Sequence, residues 1–220
     1  NLSADSSFDN PQTNKLRSNI GFTTTGGDAV TATTTFAELT SDTYDSAVIT
    51  VSGYDHDGNA IGPTDISIAD DGSTTMQDFL DDLNTILQAS NAVATLSEGY
   101  IEITDTESGY SRSDISLVFD NSAGAGTADI EMPDYFEVST VGGNEVKNVN
   151  ITIYDSQGGA HVISGALVRT DTDNTWDMIL TSITGDVAEL TLDNRRIDGI
   201  AFDPGDGSYE GLSGSDTSQF

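Results

Sequence analysis

Cysteine is absent from the chain, and proline occurs only four times in 220 residues. The first absence removes disulfides, thiolate zinc sites, iron–sulfur clusters and thiol nucleophiles. It leaves the compartment open, because secreted proteins are also built without cysteine. Bases are scarce as well: seven Lys and Arg stand against 37 Asp and Glu, a formal net charge of −30. Such a surface repels polyphosphate and anionic headgroups, which argues against nucleic-acid and membrane binding. No apolar run approaches the roughly 20 residues that span a bilayer, and Asn1 opens no signal-peptide pattern. The chain is expected to be soluble and to come from within a longer protein.

What is present is 35% apolar residues, in regular short runs that a solvated tail has no reason to contain. Of the acids, 28 are Asp, a turn former, and nine are Glu, a helix former, which points to β structure. From Asn1 to about Gly27 the isolated apolar positions Leu2, Phe8, Leu16, Ile20 and Phe22 suggest an extended, irregular segment with one edge strand. Ala47 to Tyr54 is β-branched and runs through the turn residues Asp55 to Asn59 into Ile61 to Ala69, a hairpin pattern. The period then changes. Met76, Phe79, Leu80, Leu83, Ile86 and Leu87 recur at helical spacing, which predicts one helix over about 75–89 with those six side chains on its core face. Thr75 and Asp78 have capping-box spacing. A second hairpin, Val93 to Leu96 and Tyr100 to Thr104, precedes a strand at Ile115 to Phe119. The glycine-rich stretch from Asp120 to Asp129 is the best linker candidate.

Beyond Met132 the pattern is all-β. Tyr135–Thr140, Val146–Tyr154, Ala160–Arg169, Trp176–Ile183, Val187–Leu192 and Ile197–Phe202 read as six strands separated by turn chemistry. The fold class is therefore mainly β: an all-β sandwich or barrel-like lobe, 1–25 plus 130–220, with an inserted small α+β lobe over 26–129 that contains the helix.

Motifs that would carry chemistry are incomplete. There is no Gly-x-Ser-x-Gly elbow, and Gly124-Ala125-Gly126 lacks the third glycine and following helix of a dinucleotide fingerprint. His56 and His161 have no partner histidine at metal spacing. Asp55, Asp57 and Asn59 stand at the first, third and fifth positions of a calcium loop, but Ala60 and Ile66 replace its glycine and closing glutamate. The turns at Asp171–Asn174 and Asp203–Gly207 are similarly incomplete. Asp, Asn and Gly in such turns have a sufficient backbone reason to be there. With 37 carboxylates, a glycosidase-type pair has no discriminating power. The helix stripe is expected to pack on its own lobe, and Asn150-Ile151-Thr152 is a sequon in a strand interior. No catalytic, cofactor-binding or metal residue is assigned, and no enzyme activity is expected.

One stretch is specific. Val149 to Asp177 resembles the bacterial flagellar hook protein, whose outer domain has a strand ending in Tyr-Asp-Ser-Gln-Gly, then Ala-His, an apolar strand ending in a base, and an Asn-x-Trp turn. The matching positions are Tyr154, Asp155, Ser156, Gln157, Gly158, Ala160, His161, Arg169, Asn174 and Trp176. Asn1 to Asp9 and Ile200 to Gly207 look like the opening and closing of the same domain. Two departures stand out: about Gly26 to Asp129 lies outside the short family pattern, and the polymerising terminal helices are missing. The resemblance implies a structural hook subunit, extracellular and part of the flagellum. Its outer domains would make flexible inter-subunit contacts in a universal joint that transmits motor torque. The implied partners are other copies of the subunit and, through the full-length chain, the hook cap and hook–filament junction proteins. The isolated segment would be monomeric. Another axial flagellar protein, of the distal rod or hook-associated, is the alternative; a calcium-dependent extracellular adhesin module is the binding-module rival.

Overall fold

The computed structural model describes residues 12–143, 145–154, 158–183 and 195–213. Strands β1 (Thr13–Ser18), β2 (Val48–Tyr54) and β3 (Ala60–Ser67) precede the helix α1 (Met76–Gln88). Strands β4 (Ala92–Ser97), β5 (Tyr100–Ser108), β6 (Asp114–Asp120) and β7 (Phe136–Thr140) follow. The last five are β8 (Val146–Tyr154), β9 (Ala160–Arg169), β10 (Thr175–Ile183), β11 (Arg196–Phe202) and β12 (Tyr209–Leu212). The protein is mainly β, as composition and period require. The strand expected at Val187–Leu192 lies outside the described residues, as do Leu2 and Phe8.

The chain divides into two compact units: Asn1–Lys15 with Ser108–Ser111 and Val138–Phe220, and Leu16–Glu107 with Arg112–Glu137. In the second unit, β3, β2 and β6 form an antiparallel sheet in that order. β2 is bulged at Gly53, where the register shifts. There φ is +149°, and a Cβ would run into the Asp114 carbonyl oxygen, so the close approach of β2 to β6 requires glycine.

The helix forms where the apolar period changes from two to 3.6. Thr75 caps it: its hydroxyl accepts from the Asp78 N–H at 3.1 Å, and the Asp78 carboxylate accepts from the Thr75 N–H at 2.9 Å. These bonds, the Thr75 hydroxyl foremost, hold the Asp78 carboxyl below its ordinary pKa. Met76, Phe79, Leu80, Leu83 and Leu87 are buried, and Ile86 is half-buried. The stripe packs against β4 and β3, and Phe79 meets Phe36 edge to face at 5.8 Å.

Three local expectations change. β1 is no edge strand: it lies between β5 and β7 in the sheet β4-β5-β1-β7. Its inward face holds Leu16 beside two polar residues, which masks the alternation in sequence. Both are satisfied. Asn14 accepts from the Gly142 N–H at 3.2 Å, and Ser18 accepts from the Ile101 N–H at 3.1 Å. The glycine-rich stretch 120–129 is seated within the second unit. Ala125 N–H donates to the Asp45 carboxylate at 2.5 Å, and the Thr127 and Ala128 N–H groups donate to the Thr43 carbonyl at 2.9 Å. The final strand, β12, follows a turn organised by Asp203, whose Oδ1 accepts from the Gly205 and Asp206 N–H groups.

In the first unit, β12-β11-β10-β9-β8 is a five-stranded sheet in that order, with β9 antiparallel to both neighbours. Its centre buries Ala166, Val168, Trp176 and Ile179.

Candidate functional site

The residues matching the hook pattern fall on β8, β9 and β10 and the turns that join them, so they frame one sheet rather than line a pocket. Trp176 is 3% exposed and pairs with Arg169 across the strands. Asn174 has φ +57°, a left-handed turn position that asparagine tolerates well. Arg169 lies 3.7 Å from the buried Glu145 and 3.7 Å from Asp173, binding the strand end to the turn. His161 is half-buried opposite Ile153, and Tyr154 ends β8 opposite Ala160 with 71% of its surface exposed. Gly158 has φ +85° with open space around it. Asp155, Ser156 and Gln157 lie outside the described residues.

On β10 and β11 of this sheet is a buried ionic cluster that the sequence did not disclose. Arg196 donates from Nη1 to Asp177 at 3.1 Å and from Nη2 to the Ser111 carbonyl at 2.8 Å. Asp177, 2% exposed, also accepts from the Gly199 N–H at 2.9 Å and from the Tyr110 hydroxyl. An Arg-Arg pair ahead of a strand reads as solvated, yet both Arg195 and Arg196 are buried. The clue was indirect: in so acidic a chain, bases are few and can be committed inside.

The candidates for chemistry are occupied by structure. His56 Nδ1 lies 3.0 Å from Asp105 Oδ2, and the Ser113 hydroxyl donates to Asp105 Oδ1 at 2.7 Å. The serine hydroxyl thus donates to the same carboxylate that the imidazole approaches. The trio fastens the 55–59 turn to β5. Asp55 spends its carboxylate on the same turn, with Oδ1 accepting from the Asp57 and Asn59 N–H groups at 3.0 and 2.7 Å. Among the described residues no three His, Asp or Glu side chains are placed to hold a metal, and no helix is long and apolar enough to cross a membrane. A cleft of about 490 Å³ beside β7 and β8, lined by Ser139, Thr140, Asn148, Asn150 and Ser164, has no titratable side chain in its wall.

The outer strand has a different character. Among the described residues β8 ends the sheet, and its burial falls away along its length, leaving Ile151 45% and Ile153 43% exposed on one face and Tyr154 on the other. The hook-pattern residues thus set turns and strand pairings, the Arg196–Asp177 pair is internal, and the outer strand exposes apolar side chains.

Residues 127–218 match the family model described as the flagellar basal body protein FlaE D2 domain. Over that stretch the chain is similar to an outer domain of the flagellar hook protein. The family so described is that of a structural flagellar domain. Neither the curated proteins nor the solved structures contain a match to this chain.

Proposed function

We propose that this chain is the surface-exposed outer part of the hook subunit, and that its lateral contacts exchange as the hook bends, forming a universal joint that carries motor torque to the filament. The observation that carries the reading is the match over 127–218. In this reading the stretch 26–129 is a lobe inserted into a hook-type domain formed by 1–25 and 130–220. The protein works outside the cell, with other copies of the subunit as its main partners and the hook cap and hook–filament junction proteins at the two ends of assembly.

Contacts that exchange must be weak, and a charge of −30 weakens them further. Sedimentation of the chain at micromolar concentration and near-physiological salt should therefore give one species near 23.1 kDa. The complete hook subunit should form tubes under the same conditions. A tight closed dimer of the chain, or a complete subunit that never polymerises, overturns the joint.

A further inference from the structure

Two observations on the first unit converge on the strands β8 and β9, whose exposed apolar side chains lie on both faces, Ile151 and Ile153 on one and Tyr154 and Val162 on the other. The first is charge. From Val146 to Arg169 there is a single acid, Asp155, in 24 residues, against 36 acids in the other 196. β8 and β9 themselves contain none. The second is exposed apolar area. Among the described residues seven large hydrophobic side chains are exposed, and four of them, Ile151, Ile153, Tyr154 and Val162, belong to this hairpin.

Edge strands of this length invite pairing, and natural proteins ordinarily guard them with charge, proline, bulges or a covering element. β8 runs nine residues, pairs with β9 without a register shift, and contains no proline and one base, Lys147. Ile151 and Ile153 point to the same face, with Ile163 across the ladder from Ile151, so the apolar stripe continues over both strands.

We infer that the β8–β9 hairpin is the surface through which a second copy of this chain docks. The reasoning rests on the hook-subunit reading above. Two bodies of −30 repel wherever acid meets acid, at about 1 kcal/mol per pair at 4 Å in water. Copies that must touch do so where the acids are missing and where apolar area can be removed from water. The hairpin satisfies both conditions.

These 220 residues contain no cysteine, so a thiol introduced here is the only one they contribute. In tubes assembled from the complete hook subunit, Ile153→Cys is expected to cross-link to a neighbouring copy through a short bis-maleimide. The rate should exceed that of Val118→Cys, on exposed β6, by on the order of a thousandfold, the ratio of millimolar effective to micromolar bulk concentration. A second variant, Ile153→Glu, should prevent or loosen assembly while leaving the melting temperature of the chain unchanged; Val118→Glu should leave both unchanged. Intact tubes in which Ile153→Cys cross-links no faster than Val118→Cys, or in which Ile153→Glu is harmless, overturn the surface and leave the joint standing. Failure of the unsubstituted complete subunit to polymerise overturns the joint and this surface with it.

Discussion

Asp177 shows how much a single buried charge controls in this protein. Its carboxylate holds the Arg196 guanidinium, the Gly199 N–H and the Tyr110 hydroxyl. Asp177→Asn leaves a buried guanidinium short of a counter-charge, a change that costs 3–5 kcal/mol in well-packed sites. Asp198, at 4.0 Å from Arg196, remains as a second acid, so a loss of about 3 kcal/mol is expected by urea titration. A loss below about 0.5 kcal/mol would mean that water reaches the cluster and that the guanidinium is solvated. Tyr44 gives a complementary pH signature. Its hydroxyl donates to the Phe36 carbonyl at 2.5 Å, and burial pushes its pKa up to about 12. The folded state holds this proton more tightly than the unfolded chain does. The contribution is therefore complete below pH 10 and is lost as pH rises through about 12. Tyr44→Phe should flatten the fall in stability over that alkaline range, while lowering stability at pH 7 by about 1 kcal/mol for the hydrogen bond removed. An unchanged alkaline slope would assign the loss to another tyrosine.

At the scale of elements, legibility followed periodicity. The helix was readable because its apolar residues repeat over three turns and its cap occupies a four-residue pattern; Ile86 is only half-buried, while Leu87 beside it is buried. The β2–β3 and β4–β5 hairpins were readable from turn residues between β-branched runs. β1 was not, since a strand with Asn14 and Ser18 inside carries no alternation, and its placement depends on partners distant in sequence. The hook-type stretch was legible because it is a string of turn-forming and anchoring residues. The Arg196–Asp177 cluster was not, because 19 residues separate two charges that separately look solvated.

The same limit hid how the β4 edge is closed. Asn84, on the helix, donates from Nδ2 to the Ala94 carbonyl at 3.0 Å and accepts the Ala94 N–H at 2.7 Å. One side-chain amide thus stands in for a neighbouring strand at that point. Asn84→Ala should cost about 1–3 kcal/mol and speed hydrogen exchange of the Ala94 amide selectively. Equal acceleration of all β4 amides would point to global destabilisation instead.

For the whole molecule, charge is the dominant variable. With 37 acids and seven bases, the folded chain compresses like charges into a small volume, and screening relieves them. The Debye length falls from about 30 Å at 0.01 M salt to about 8 Å at 0.15 M, so the melting temperature should rise over that interval. A fall would mean that attractive pairs such as Arg169–Glu145 and Arg196–Asp177 outweigh the repulsion.

The chain's one tryptophan, Trp176, belongs to the first unit, whereas helix α1 belongs to the second. Each unit therefore has its own optical channel. Indole emission follows the solvation of the β9–β10 sheet, and ellipticity at the helical minimum follows α1. A single melt recorded in both channels measures how far two structural units of one subunit share a transition, without a label, a cut or a substitution.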